Sequence, residues 1–263
     1  MQFESGVTYM MPVAFGPQAP HAAGEFSDVR TLMVVYRSTI EAIRRVLPEP
    51  LIPGPEPLVF SYLQRCRGVN FLAGGEYRLF GVNVAATYPA EDGPSHGSFA
   101  LILWENNIEA IIRGREILGI PKLYAEVDDP EPVDGHWSGA VRDHGRELIR
   151  MELTDQAEMS PEEIEGLRCE LAEGVWFGWK HVPRIDGLGV EVSQATKIGI
   201  VNNPSAAWRC TGSLEFGDVT WEESPPHAHI VQGLRELPLL EVVQAYRTQG
   251  TVRLTRADHR VLK

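Results

Sequence analysis

Lysine is nearly absent from this chain. Four residues, Lys122, Lys180, Lys197 and Lys263, stand against twenty arginines. Guanidinium stays protonated in proteins, so a chain that meets its need for cations with arginine leaves each lysine to be explained on its own. Cysteine is equally sparse. Cys66, Cys169 and Cys210 are odd in number, far apart and without CxxC spacing, which indicates neither a disulfide framework nor a cysteine zinc site. Positive charge is in deficit, with a formal net charge of −12, and this argues against nucleic acid or an anionic membrane surface as partner. No stretch approaches the roughly 18–20 consecutive apolar residues that a membrane helix needs. The opening Met1-Gln2-Phe3-Glu4-Ser5 lacks the basic region and apolar core of a signal peptide. A reducing cytoplasm is the expected location. Serine nucleophile elbow, phosphate-binding glycine loop and dinucleotide fingerprint are all missing, which argues against hydrolase, kinase and dehydrogenase.

What is present describes an ordinary globular chain of 263 residues, 43% hydrophobic and 23% charged. The stretch Gly114-Arg115-Glu116-Ile117-Leu118-Gly119-Ile120-Pro121-Lys122-Leu123-Tyr124 sets one of the rare lysines among apolar residues. An ε-amine can lose its proton and attack a carbonyl carbon, the more readily where apolar neighbours strip it of water. Lys122 is therefore the candidate Schiff-base nucleophile. The alternative is a lysine at the start of a strand with its stem packed and its ammonium in water.

The periodicity predicts many strands and few helices. Thr31 to Arg37 is a β-branched apolar run. Ser38 precedes Glu41 at capping-box spacing, Ile40, Ile43 and Leu47 follow at helical intervals, and Pro48 and Pro50 close that helix. Leu58 to Leu63 and Phe80 to Tyr88 read as strands around an Ala73-Gly74-Gly75 turn. Ser98 to Trp104 is another, leading to Asn106 or Asn107 as cap of a helix that buries Ile108, Ile111 and Ile112 and ends at Gly119 and Pro121. A strand follows over Leu123 to Val127. Trp137 to Val141 and Glu147 to Leu153 form a hairpin around Asp143-His144-Gly145. Ser160-Pro161-Glu162-Glu163 starts a capped helix. From Ile185 onward the pattern is strand-like, with Leu239 to Tyr246 open between helix and strand. No linker or repeat divides the chain, so residues 1–263 are expected to form a single domain of class α+β, dominated by antiparallel strands.

These motifs resemble the acetoacetate decarboxylase superfamily nearly end to end. Val35-Tyr36-Arg37 through Leu47-Pro48-Glu49-Pro50-Leu51 is similar to its N-terminal signature. The piece from Leu103-Trp104-Glu105-Asn106 through Gly114-Arg115-Glu116 to Pro121-Lys122 is the most specific. Ala207-Trp208 and the run Leu237 to Val243 also have counterparts. The resemblance implies a cone or barrel of mainly antiparallel β sheet with a few flanking helices, a homo-oligomer (tetramer or larger), and an active-site lysine at Lys122. Activation of such a lysine by desolvation or a cationic neighbour is the mechanism attached to that family. The departures are specific. The family's second lysine is Leu123 here, its Tyr-x-Glu is Tyr77-Arg78-Leu79, its other glutamate falls at Tyr62, and its carboxylate-binding arginine falls at Val29. Arg30, one position on, would point to the other face of a strand.

An iminium at Lys122 remains an electron sink without those groups. The resemblance therefore implies a cofactor-independent Schiff-base lyase of aldolase-dehydratase type, acting on pyruvate and an aldehyde. A β-keto acid decarboxylase and a non-catalytic small-molecule binding protein are the alternatives. Tyr77, Glu76 and Tyr246 are candidate acid or base groups beside Lys122. Tyr62, Leu79, Ile120, Arg30 and Trp104 are candidate substrate contacts. Arg115, Glu116 and Pro121 are expected to hold the lysine loop in place, Arg115 being favoured near a helix C-terminus. His227-Ala228-His229 sets two imidazoles on one face of an expected strand, but no carboxylate or cysteine accompanies them, so no metal is expected. Glu126 to Glu131 reads as a solvated acidic turn.

Overall fold

Alternation of period two dictates most of this backbone, and the chain forms strands accordingly. The computed structural model describes residues 2–18, 23–91 and 93–263. Its strands are β1 (Ala23–Arg37), β2 (Ile52–Pro53), β3 (Leu58–Val69), β4 (Gly75–Ala90), β5 (Gly93–Glu105), β6 (Lys122–Tyr124), β7 (Glu126–Val127), β8 (Pro132–Val133), β9 (His136–Asp143), β10 (Arg146–Glu158), β11 (Val175–Pro183), β12 (Val190–Ile198), β13 (Ile200–Phe216), β14 (Glu241–Thr255) and β15 (Arg260–Val261). Four helices flank them: α1 (Ile40–Val46), α2 (Ile108–Arg113), α3 (Pro161–Glu173) and α4 (Ala228–Arg235).

All the strands belong to one sheet, ordered β15-β12-β11-β5-β4-β3-β1-β14-β13-β10-β9-β7, with β2, β6 and β8 added to β4, β5 and β9. Pairing is antiparallel except where β5 meets β6 and β11. Strand twist curls the long members into an open cone. β6 bonds β5, and β7 a residue later bonds β9. The segment carrying Lys122 thus draws the two arms of the sheet together, without a continuous ladder closing the ring.

Register decides which side chains share a face. Met33 lies opposite Tyr62 and Tyr246, Tyr62 opposite Gly81, Leu79 opposite Glu105, and Leu103 opposite Lys122. Side chains alternate along a strand, so these residues line one face, the inner face of the cone. Leu32, Val34, Leu63, Phe80 and Trp104 take the other face and are fully buried under α4, which contributes Ala228, Val231 and Leu234. Each such side chain stabilises the fold by roughly 1.5–3 kcal/mol.

Several local expectations are revised. Thr39, not Ser38, caps α1, its Oγ1 accepting from Ala42 N at 3.2 Å. On α2 only Ile111 of the three isoleucines is buried, because Ala110 takes the inward position and Ile108 and Ile112 face out. The pair at His227 and His229 lies at the start of α4 and not on a strand. Leu239 to Tyr246 resolves as strand from Glu241. The acidic segment Glu126 to Glu131 stays partly exposed but is tied to arginines: Asp128 binds Arg142 at 2.6 Å, and Asp129 and Glu131 flank the buried Arg65. The β9–β10 turn follows the expected form, with φ of 48° at His144 and 75° at Gly145. α3 carries the full Ser160–Glu163 capping box. No helix among the described residues is long and apolar enough to cross a membrane.

Candidate active site

Asn107 starts α2 by accepting from Ala110 N at 3.0 Å. The helix then widens into a π-helical turn over Gly114–Leu118, which Gly119 ends at φ 73°, a conformation that glycine adopts without strain. Pro121 contributes its carbonyl to Leu103 N at 3.0 Å, and β6 begins. This route returns Lys122 beneath the helix that precedes it.

The Lys122 side chain runs under α2 and is 9% exposed. Its Nζ donates to the Ala110 carbonyl at 3.2 Å and lies 2.7 Å from Glu105 Oε1. Gly114 makes room for it: a Cβ there would come within 3.0 Å of Nζ and nearer still to Cδ and Cε. The Arg115 guanidinium donates to the Lys122 carbonyl at 2.9 Å, and Lys180 Nζ donates to the Glu116 carbonyl. Arg115 therefore touches Lys122 through its backbone, and Glu116 is held through its own carbonyl by Lys180.

Glu105 is wholly buried, and Lys122 is its ion-pair partner, although neither carboxylate oxygen has a partner in good hydrogen-bond geometry. Burial pushes its carboxyl above the ordinary glutamate range, and the Lys122 charge draws it part of the way back. A carboxylate so placed is a ready proton acceptor for the ammonium beside it. The sequence reading ended this strand at Trp104 and overlooked Glu105. The available signal was a single carboxylate closing an otherwise apolar run, two residues beyond Leu103 and hence on the same face.

Two cavities lie in this part of the molecule, and one of them reaches Lys122. The smaller, about 110 Å³, is lined by Lys122 itself with Tyr77, Phe26, Phe71, Arg113, Leu254 and Arg256, among others. The larger, about 300 Å³, is lined by Val29, Met33, Tyr62, Leu79, Leu103 and Tyr246, among others. The larger one does not contain Lys122. One apolar cluster forms the wall of both: Val29, Tyr62 and Leu79 face the larger cavity, and Phe26, Tyr77 and Ala110 face the smaller.

The sequence-derived candidates separate accordingly. Tyr77 shares the cavity with Lys122, and its hydroxyl is held well above the ordinary tyrosine range by burial and then by the charges of Cys66 and Glu105. Tyr62 and Leu79 line the larger cavity, and the Asn83 amide bridges the Tyr62 hydroxyl and Ser98. Tyr246 also lines it, packed in a cluster with Ile164 and Leu167 of α3 and away from the cluster around Lys122. The remaining candidates lie elsewhere. Glu76 is at the surface, bound to Arg67 at 2.7 Å, because the alternation that turns Tyr77 inward turns its neighbour outward. Arg30 lies on the outer face, stacked on Trp137 and paired with Glu131 at 3.3 Å. Trp104 faces the core, donating to His227 Nδ1 at 3.1 Å. Ile120 packs with Ala100, Leu103 and Ile198 and lines neither cavity. Among the described residues no group of three or more His, Cys, Asp or Glu gathers as a metal site.

The family model described as acetoacetate decarboxylase (ADC) matches residues 10–262 of this chain. Similar curated proteins include the acetoacetate decarboxylase of Streptomyces nogalater, 29% identical over 248 residues that cover 92% of this chain and 90% of that protein. The acetoacetate decarboxylase of Burkholderia multivorans is 26% identical over 240 residues, covering 90% and 87%. Among solved structures, the acetoacetate decarboxylase of Legionella pneumophila has a TM-score of 0.75 at 19% identity, covering 94% of this chain and 92% of its own. The enduracididine biosynthesis enzyme MppR, complexed with pyruvate, has a TM-score of 0.74 at 18% identity and covers 98% of both chains. The likeness to these two solved structures is one of fold.

Proposed function

The chain belongs to the acetoacetate decarboxylase family, and from that membership we propose that it is a lyase forming a Schiff base between Lys122 and a small oxo acid. One observation carries the reading: the Lys122 amine lines a cavity while its Nζ lies 2.7 Å from a buried carboxylate. Glu105 takes a proton from the ammonium, and the free amine attacks the substrate carbonyl carbon, forming a C–N bond. The oxygen takes one proton from that nitrogen, accepts a second from Glu105 and departs as water, leaving the iminium. Loss of an α-proton, or of carbon dioxide, then delivers an electron pair to nitrogen and yields the enamine. The enamine takes a proton at carbon, which regenerates the iminium, and water adding to that iminium releases the product and restores the lysine.

The finer reading is aldolase-dehydratase chemistry with pyruvate and an aldehyde. The enamine carbon attacks the aldehyde carbon, and the resulting hydroxyl leaves as water after an α-proton is removed. Phe26, Phe71, Tyr77 and Leu254 give the cavity that holds Lys122 an apolar wall suited to an uncharged partner. A protein of the same fold has been solved with the condensation product of pyruvate and imidazole 4-carboxaldehyde. Decarboxylation of a β-keto acid is the second reading, favoured by curated relatives of that name.

Borohydride trapping with pyruvate and, separately, acetoacetate tests the proposal, read by mass spectrometry of the Lys122 peptide. A reduced adduct on that peptide is expected, and a folded Lys122→Ala protein is expected to give none. Turnover retained in Lys122→Ala would overturn the lysine assignment. Carbon dioxide release from acetoacetate supports the second reading. No adduct with either acid shifts the weight to a binding protein on this fold.

A further inference from the structure

Among the described residues, the cavity that holds Lys122 is lined by two further cations, Arg113 and Arg256, and by no aspartate or glutamate. The chain as a whole carries a net charge of −12. Many of its arginines are paired with carboxylates, as Arg65, Arg142 and Arg247 are. Among the described residues, neither Arg113 nor Arg256 has a carboxylate partner. Both are nevertheless held. The Arg113 guanidinium stacks on Phe71, 5.3 Å from the ring centre, and Arg256 donates to the Thr8 hydroxyl. Arg113 follows Ala110 by three positions on α2, and Ala110 supplies the carbonyl that receives Lys122 Nζ. Residues three apart share one side of a helix, so one face of α2 presents both the lysine's anchor and a free guanidinium to the same cavity.

From this we infer that Arg113 and Arg256 form a carboxylate-binding site, which takes over the role of the cation missing at Val29. The inference rests on the Schiff-base reading above for the identity of the ligand as an oxo acid. Val29 lines the larger cavity, and an arginine there would hold a carboxylate on the far side of the Phe26–Tyr77–Leu79 cluster from this site. Binding at Arg113 and Arg256 instead keeps the carboxylate in the same cavity as Lys122. Planar guanidinium groups match a carboxylate through paired hydrogen bonds, and Arg113 is pre-oriented by its ring contact. The ligand class is a short-chain oxo acid, its carboxylate at the arginines and its carbonyl toward Nζ. Uncharged ketones would bind there without this anchor.

L-lactate and lactamide provide the test, because neither has a carbonyl that can form an imine and only lactate is an anion. Calorimetric titration of the full chain is expected to show lactate bound at least about tenfold more tightly than lactamide. Arg113→Gln and Arg256→Gln are each expected to narrow that preference, and the double variant to abolish it, with lactamide affinity and thermal midpoint unchanged. Arg113→Lys, which keeps the charge, is expected to retain part of it. Equal affinity for the two ligands in the unaltered protein would overturn the site, as would a preference undiminished in the folded single variants. Borohydride trapping with pyruvate separates this outcome from the reading beneath it. An adduct on Lys122 without lactate preference leaves the Schiff base standing and removes the arginine site. Preference without an adduct does the reverse.

Discussion

Lys122 and Glu105 bury two opposite charges within 2.7 Å of each other, and such a pair stabilises a fold only while both members are present. Lys122→Ala leaves Glu105 buried without its cation. Burial already raises the Glu105 carboxyl above its ordinary range, and removal of Lys122 raises it further. The folded variant then holds a proton that the unfolded chain releases above the ordinary glutamate pKa of about 4.3. Its stability therefore declines as pH rises above that value. Lys122→Ala is expected to lose on the order of 3–5 kcal/mol at about pH 8 and clearly less at about pH 5. Adding Glu105→Gln should flatten that dependence, as denaturant unfolding at the two pH values would reveal. An equal loss at both would mean that Glu105 is not the group left charged. The lysine was legible from composition, since so few were present to choose from. Glu105 was not, because its meaning depends on facing Lys122 across a parallel ladder between residues seventeen positions apart.

The element that makes the site is the π-helical turn over Gly114–Leu118. Widening the helix at this point lets the chain double back, so that Lys122 lies under α2 with its amine against Ala110. Gly114 is helical at φ −64°, so it is needed here for space and not for backbone freedom. Gly114→Ala is expected to keep the fold and displace Nζ from Glu105, lowering the yield of borohydride adduct by about tenfold or more. An unchanged adduct yield would show that the cradle is looser than these contacts require. The sequence announced this helix through Asn107 and Gly119, but it misassigned the buried face. Ile108 and Ile112 point outward because the inner side must accommodate a lysine, and only Ala110 and Gly114 are small enough to admit it. α4 escaped notice for a related reason: it is short, follows Pro225-Pro226, and shows its apolar side only against Trp104 and its neighbours.

At the scale of the whole molecule, one sheet runs through the described residues from β15 to β7, and every helix packs on it. Calorimetry is expected to record a single cooperative transition, and two separable transitions would contradict the expectation of one domain over residues 1–263. By itself the sequence determined the strand-rich character, the capped starts of α2 and α3, the hairpin at His144-Gly145 and the family, and it singled out Lys122 as the candidate nucleophile, because each of these is written in local spacing or in residue type. Tertiary structure alone decided which residues meet. It turned Tyr77 inward and Glu76 outward, sent Arg30 and Trp104 to the opposite face from Tyr62 and Leu79, and joined Glu105 to Lys122. The physical reason is register. Side chains alternate sides at every residue, so only the pairing of distant strands fixes which positions share a cavity.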